Sequence, residues 1–189
     1  MDLDLLATIG SFQEWERELF FKALRIRLVE KDEIILKKGD VASSVFFVQK
    51  GSLYQFLEHK DAADTIIDLH LENEWAFNYK SFISQQPSDA NIRAYSKSEV
   101  GEISIESIHF LISRSLSFLK LNQIMDPAVS RISFFDHSAT PLEKYLHILQ
   151  TRPKLIQSFP LKMIAAYLKI SPETLSRVRE KLVRPKSIS

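Results

Sequence analysis

The C-terminal thirty residues contain the side chains whose types and spacing best define a chemical task. Arg177 follows Glu173 by four positions, and further cations follow at Arg179, Lys181 and Arg184. Residues four apart lie on one face of a helix. From such a face an arginine can reach both guanine acceptors, and a glutamate can accept from a cytosine amino group. The pattern therefore indicates a helix that reads the edges of DNA bases.

The charge of the chain is distributed to match this interpretation. From Pro160 onward seven Lys and Arg residues stand against two Glu residues, which leaves +5; the whole chain carries +1, so the remainder sums to −4. A basic end on a mildly acidic body is expected when only that end meets phosphate. The alternative is that these cations form the solvated face of an ordinary amphipathic helix.

Two short helices separated by a tight turn would position these side chains. A first helix over 162–168 has small and apolar residues on one face: Ile164, Ala165 and Leu168. Ser171 and Pro172 then open a second helix, because serine caps a helix and proline fits its first position. The buried stripe of the second helix is formed by Leu175, Val178 and Leu182. This arrangement is typical of a helix-turn-helix, whose second helix enters the DNA major groove.

The side chains of this tail divide into two predicted roles. We expect Glu173, Ser176 and Arg177 to reach base edges, since they occupy the first turns of the second helix. The other cations are predicted to contact phosphates: Lys162, Lys169, Arg179, Lys181 and Arg184.

The rest of the chain divides into three regions. Residues 3–28 place apolar side chains at helical spacing, with Phe20, Phe21, Leu24 and Leu28 as the inward face. From Glu33 to Ile105, short apolar runs broken by turn residues predict the strands of a small β sandwich or barrel. These runs are 34–36, 45–48, 53–56, 66–69, 91–94 and 100–105. Helical periodicity returns over about 106–150.

A repeating apolar stripe in the third region predicts a dimer. Its members step by four and three, as in a coiled-coil seam: Leu121, Met125, Ala128, Ile132 and Phe135. A second copy can cover such a stripe with the same residues. Pro127 falls inside it and would cost ~3 kcal/mol or kink the helix. Asp126-Pro127 can instead begin a new helix, so we expect either a kink or two helices.

Composition excludes several classes of function. The 189 residues contain 45% hydrophobic residues and thirteen Phe, which supply a sizeable core. No apolar run reaches the roughly 18 residues of a membrane span, and the acidic start lacks a signal peptide's positive region, so we predict a cytoplasmic protein without a membrane partner. Cysteine is absent, and the five histidines show no metal-ligand spacing. With no nucleophile or phosphate-binding motif, we predict neither a catalytic residue, a metal nor a cofactor.

The order of these parts resembles the Crp/Fnr family of bacterial transcription regulators. The resemblance is strongest in VFFVQKGSLY, in NEWAFNYKSFISQQPSDANIRAY and in IAAYLKISPETLSRVREK, which is similar to the Bacteroidetes-type variant. It implies an α+β fold: an N-terminal β-roll (a cyclic-nucleotide-binding-like jelly roll) over 1–105, a dimerisation helix within 106–138 and a helix-turn-helix domain over 139–189. It also implies a homodimer that binds a palindromic operator in double-stranded DNA, with RNA polymerase as a candidate partner.

The effector site departs from the family pattern. Members that bind cyclic AMP carry a Gly-Glu pair for the ribose and an Arg for the cyclic phosphate. Alignment places Asn73 and Glu74 at the pair and Ser88 at the arginine, with Asp89 beside it; Arg93 is the nearby candidate cation. Ser88 supplies no charge and Asp89 repels phosphate. The pocket is therefore predicted to be degenerate or adapted to another ligand, and cyclic AMP is not expected to bind.

Two further departures concern the helix-turn-helix. Lys169 occupies the turn position where the family usually has glycine, and a left-handed residue other than glycine costs on the order of 1 kcal/mol. No clear β hairpin wing follows the second helix. The main hypothesis is a homodimeric, sequence-specific transcription regulator. The alternative is a ligand-sensing or protein-interaction module with a vestigial helix-turn-helix, and exposure of both Glu173 and Arg177 would favour the first.

Overall fold

The computed structural model describes residues 4–7, 9–125 and 140–183. Its N-terminal part contains helices α1 (Asp4–Ala7), α2 (Glu14–Ala23) and α3 (Tyr79–Ser84) around eight strands. The strands are β1 (Arg25–Val29), β2 (Ile34–Leu36), β3 (Ser44–Lys50), β4 (Leu53–Leu57), β5 (Thr65–His70), β6 (Trp75–Ala76), β7 (Asn91–Ala94) and β8 (Ser98–Ser104). Each predicted apolar run contains or overlaps one of these strands.

The strands form two four-stranded antiparallel sheets, in the orders β1-β8-β3-β6 and β2-β7-β4-β5. Apolar side chains from both sheets meet in one core, among them Val48 and Val100 from the first and Leu53 and Ile92 from the second. The predicted α+β fold with an antiparallel β-roll is confirmed.

The N-terminal helix is shorter than predicted. It ends at Ala23, and Leu24 already has an extended backbone. Arg25–Val29 instead pairs with β8, so the prediction that Leu28 belongs to a helical inward face is wrong; its side chain is 66% exposed. Phe20 and Leu24 are buried as expected. Pairing with a neighbouring strand outweighs local helical spacing here.

The region after β8 contains α4 (Ile105–Arg114) and a 3₁₀ helix (Leu116–Ile124). In the 3₁₀ helix Phe118, Leu121 and Ile124 share a face, because its side chains repeat every three residues. All three are buried in the chain's own core. Leu121 is therefore covered by its own chain, not by a second copy as expected. Met125 is partly buried against the same core. Ala128, Ile132, Phe135 and Pro127 lie outside the described residues.

The C-terminal unit, residues 140–183, contains α5 (Pro141–Thr151), α6 (Lys154–Ser158), α7 (Leu161–Tyr167) and α8 (Pro172–Val183). A capping box starts α5: the Thr140 hydroxyl accepts from the Glu143 N–H, and the Glu143 carboxylate accepts from the Thr140 N–H. None of the helices described here is long and apolar enough to cross a membrane.

A second core joins the C-terminal unit to the β-roll. It includes Phe56 and Leu69 from β4 and β5, together with Ile148, Leu155 and Ile164 from the C-terminal unit. Since Leu53 and Ile92 of the same sheet face the first core, the second sheet is covered on both faces. The C-terminal helices are thus packed on the roll.

Candidate nucleic-acid interface and effector site

The turn between α7 and α8 is closed by backbone hydrogen bonds. The Lys169 N–H donates to the Ala166 carbonyl and the Ile170 N–H to the Ala165 carbonyl, each at 3.0 Å. This is a Schellman motif, which requires a left-handed residue after the helix. Lys169 has φ 56°, so the turn has the left-handed geometry anticipated at that position.

A lysine that the sequence did not single out supports this turn. Lys144 of α5 is buried, and its Nζ donates to the Leu168 carbonyl at 3.1 Å. Leu168 immediately follows α7, and the carbonyls at the C-terminal end of a helix have no partner within the helix. Lys144 therefore stabilises the C-terminal end of α7 from a neighbouring helix.

The start of α8 agrees with the sequence. The Ser171 hydroxyl accepts from the Thr174 N–H at 3.2 Å, as expected of a helix cap, and Pro172 is the first helical residue. Leu175 and Val178 are buried against the rest of the unit. Leu182, expected in the same stripe, is 43% exposed because it lies at the far end of the helix, away from that core.

The opposite side of α8 faces solvent. Glu173, Ser176, Arg177 and Lys181 are exposed, and Arg179 is half-buried. We call the four exposed residues the α8 outer face. Lys162 and Lys169 are also exposed at the neighbouring helix and turn, whereas Arg184 lies outside the described residues. Glu173 and Arg177 thus both reach solvent, which is the observation that favours the DNA-binding hypothesis.

Glu173 is held in its charged form. A backbone N–H at the start of α8 and the Ser171 hydroxyl lower the pKa of Glu173, and the nearby charge of Arg177 lowers it further. A helix N-terminus favours negative charge for the same reason. The outer face consequently presents a carboxylate acceptor beside cationic donors.

At the predicted phosphate position, Ser88 is buried in a closed set of hydrogen bonds. Its hydroxyl accepts from the Asn78 Nδ2 at 3.0 Å and donates to the Ala90 carbonyl at 2.7 Å. Asn78 in turn accepts from the Ser81 N–H at 2.9 Å and caps α3. We call Ser88, Asn78 and Ser81 the Ser88 network. It is neutral, and its polar groups already have partners within the fold.

Glu74, aligned with the ribose-binding glutamate, contacts a different part of the molecule. It lies in the turn before β6, where its carboxylate accepts from the Leu71 N–H at 2.9 Å. The same carboxylate binds Arg152, which follows α5. The residue that contacts Ser88 is Asn78, four positions further on. Its place immediately before a helix, where asparagine is a favoured cap, was the available signal.

The other effector candidates do not converge on Ser88. Asn73 is exposed and left-handed, with φ 67°. Asp89 is exposed and lies 3.6 Å from the Lys80 ammonium. Arg93 lies over the Phe56 ring, 4.7 Å from its centre, beside the second core. Among the five candidates, all of them described, Glu74 alone lines the cavity of about 600 Å³ between the roll and Arg152.

Arg152 is a highly connected polar residue that the sequence did not reveal. Its guanidinium donates to both oxygens of Glu74, to the Leu69 carbonyl and to the Tyr167 hydroxyl, and lies 3.7 Å from Asp68. Burial alone would lower the pKa of Arg152, but the Glu74 carboxylate, the Tyr167 oxygen and the Asp68 carboxylate outweigh it and raise the pKa.

Comparisons with known proteins agree with this architecture. Residues 26–115 match the cyclic nucleotide-binding domain family. FixK2 from Bradyrhizobium japonicum has 17% identity over 84% of each chain, with a TM-score of 0.71. The c-di-GMP responsive global regulator CLP from Xanthomonas campestris has 18% identity over 90% of this chain and 91% of its own, with a TM-score of 0.59.

A further solved structure is similar over almost the whole chain. The catabolite activator protein of Thermus thermophilus has 21% identity over 94% of this chain and 85% of its own, with a TM-score of 0.53. No curated protein sequence matches significantly. Residues 26–115 thus match the cyclic nucleotide-binding domain family, and the chain shares its fold with FixK2 and with the catabolite activator protein.

Proposed function

We propose that the chain is a homodimeric, sequence-specific DNA-binding transcription regulator. The observation that carries the proposal is the α8 outer face. Glu173, Ser176 and Arg177 are exposed on the first turns of a helix whose other side, at Leu175 and Val178, is buried. This leaves the base-reading edge of a helix-turn-helix free for a major groove.

In this proposal the remaining cations bind the DNA backbone. Lys162 and Lys169 are exposed beside α8, and Lys181 is exposed on it. Each phosphate neutralised releases counterions, so affinity should fall steeply with salt. In the dimer the two recognition helices should enter half-sites about 34–36 Å apart, one turn of DNA.

We propose that the regulator does not respond to cyclic AMP. The Ser88 network offers neither a cation nor a free donor pair for a cyclic phosphate. Calorimetry should find binding no tighter than the millimolar range, which corresponds to about −4 kcal/mol. A micromolar dissociation constant would show that the network opens to admit the nucleotide.

The dimer is proposed to use the stripe that begins at Met125. Because Leu121 is covered within one chain, the rest of the stripe (Ala128, Ile132 and Phe135) would supply the shared surface. Ile132→Glu would place a charge in that seam and should weaken association by several kcal/mol, since an unpaired buried charge costs about 3–5 kcal/mol. Analytical ultracentrifugation of both proteins tests this. If the unmodified chain is a monomer even at high concentration, the proposed dimer is wrong.

The experiment that tests the central claim is a genomic pull-down followed by DNA sequencing. The expected result is a set of fragments that share a two-fold symmetric motif, bound with an affinity that falls with salt. Fragments without a shared motif, or affinity that salt does not change, would instead support an interaction module whose helix-turn-helix does not read DNA.

A further inference from the structure

Arg152 is a highly connected polar side chain at the junction between the C-terminal unit and the β-roll. It follows α5, and 11% of its side chain is exposed. On the roll it binds Glu74, the Leu69 carbonyl and Asp68. Towards its own unit its Nη1 donates to the Tyr167 hydroxyl of α7 at 3.0 Å. One guanidinium thus joins the turn before β6 to the first helix of the helix-turn-helix.

Packing surrounds this polar contact. The Tyr95 ring of the roll lies 4.9 Å from the Phe159 ring, centre to centre. Phe56 and Leu69 of the roll share the second core with Leu155 and Phe159. The apolar contact resists separation of the two parts, but it is non-directional. A guanidinium that binds a carboxylate through two donors adds a defined orientation.

The contact does not cover the recognition surface. The α8 outer face remains exposed while Arg152 holds the C-terminal unit on the roll. An autoinhibitory contact would be expected to bury that surface. The docked arrangement is therefore one in which α8 can already approach DNA.

We propose that Arg152 is a positioning residue that fixes the orientation of α8 relative to the β-roll, and thereby the geometry of the two recognition helices in the dimer. The inference rests on the proposed function, because it requires a dimer that binds two half-sites. The Glu74 carboxylate, which the family resemblance assigns to a ligand, serves here as the acceptor of this interdomain contact.

The expected consequence is specific to two-site binding. When one recognition helix is bound, the second meets its half-site at an effective concentration set by how well its position is fixed. If the C-terminal unit is held less firmly, that effective concentration falls. Binding to one half-site requires no fixed separation and should not change.

The test compares the best-bound genomic fragment with the same fragment carrying one scrambled half-site. Arg152→Met removes the whole contact, and Glu74→Gln removes the charge and one of the two acceptor oxygens of its carboxylate. Each should weaken binding to the intact fragment, by about tenfold or more for Arg152→Met and by less for Glu74→Gln, while half-site affinity stays the same. Arg152→Lys should behave like Arg152→Met, because lysine cannot bind a carboxylate through a fixed fork. Glu74→Gln keeps the test valid if loss of Arg152 prevents folding.

The matched control is Lys144→Met. Lys144 is likewise buried and also donates to a carbonyl, but the Leu168 acceptor belongs to the same unit. This change should alter intact-fragment and half-site affinities by the same factor. Equal losses on both fragments for Arg152→Met would reduce Arg152 to a structural residue and overturn the inference. An unchanged or tighter affinity for the intact fragment would overturn it as well.

A spectroscopic measurement reads the orientation without DNA. Because the chain contains no cysteine, Glu18→Cys on α2 and Glu180→Cys on α8, both exposed sites, can be spin-labelled selectively. Excess unlabelled protein ensures that each measured distance joins the two labels of one chain. The distribution of distances between the two spin labels should be broader in Arg152→Met and Glu74→Gln than in the parent protein, but not in Lys144→Met. An unchanged distribution would contradict the proposed role. If the unmodified chain itself bound no fragment, the proposed function would have failed.

Discussion

The Ser88 network and the α8 outer face are two candidate binding regions whose polar groups differ in burial and in hydrogen bonding. In the first, the Asn78 amide, the Ser88 hydroxyl and the Ser81 N–H bind one another inside the fold. In the second, Glu173, Arg177 and Lys181 reach solvent. Buried polar groups are stable when their hydrogen bonds are made within the protein, whereas exposed charges contribute little to stability and stay available to a partner. Similarity to a ligand-binding fold therefore identifies the position of a site without establishing its use.

The surroundings of the two regions strengthen this contrast. The charged residue beside Ser88 is Asp89, which lies 3.6 Å from Lys80 in an exposed pair. Such a pair contributes about 0–1 kcal/mol and adds no positive charge to the Ser88 network. Around α8, by comparison, the sign of the local charge is positive and suits phosphate.

The largest effect should come from forcing the family's arginine into the Ser88 network. Ser88→Arg would replace a buried hydroxyl, 3% exposed, by a cation without an anionic partner. We expect the free energy of unfolding to fall by about 3–5 kcal/mol, as for an uncompensated buried charge. Urea denaturation measures this, with Asp89→Arg as the control at the adjacent exposed position.

The control should change stability by at most about 1 kcal/mol, since it removes only the exposed Asp89–Lys80 pair. If Ser88→Arg were as stable as the unmodified chain, the guanidinium would have found a partner or solvent, and the network would be less closed than its hydrogen bonds indicate. In either case calorimetry should detect no cyclic AMP binding, since Asn78 remains neutral and Asp89 remains adjacent.

A smaller effect is expected at the α8 outer face, and it should appear in DNA affinity. Arg177→Ala should cost about 1–3 kcal/mol of binding and relax the preference at one base pair per half-site. Lys181→Ala should weaken binding to all sequences alike. It should also reduce the slope of log affinity against log salt concentration by roughly one unit for each phosphate that is no longer neutralised in a half-site. Titrations of intact and point-mutated fragments at several salt concentrations separate the two.

The two variants control for each other, because both remove an exposed cation from the same helix. If Arg177→Ala lowered affinity equally for every fragment, Arg177 would bind a phosphate and base reading would have to lie at Glu173 or Ser176. If neither variant changed affinity, α8 would not be a DNA-reading helix.

Elements defined by local periodicity are predictable from the sequence. Alternation and turn residues locate β2 to β5, and Ser171-Pro172 locates the start of α8. Elements defined by tertiary pairing are not predictable in this way. The apolar residues keep helical spacing through Arg25–Val29, but this segment forms β1 because it pairs with β8, which is distant in the sequence. The spacing that suggests a coiled-coil seam at Leu121 belongs, in the described part, to a 3₁₀ helix.

The polar contacts divide in the same way. Ser171 and Thr174 are three residues apart, and their capping bond follows from local chemistry. Lys144 reaches Leu168 across 24 residues, and Arg152 reaches Glu74 across 78. No local pattern specifies such pairs, since a buried Lys or Arg looks like a solvated one in the sequence. For this reason local patterns predict the face proposed to meet DNA but do not reveal the residues that hold it in place.

The smallest predicted effect separates stability from binding within the helix-turn-helix itself. Lys169 is exposed and left-handed, with φ 56°, in the Schellman turn that precedes α8. Lys169→Gly should raise the free energy of unfolding by up to about 1 kcal/mol, because glycine adopts this conformation without steric cost. Lys169→Ala is the matched control, since it removes the same ammonium but keeps the Cβ that causes the strain.

Both variants remove the same cation from its proposed phosphate contact and should therefore weaken DNA binding equally, while only the glycine variant becomes more stable. Thermal unfolding and salt-dependent DNA titration of the three proteins give the two quantities independently. Equal stability of the glycine and alanine variants would mean that the turn is not strained at Lys169. Unchanged DNA affinity in both would limit the phosphate-binding surface to Lys162 and the cations of α8.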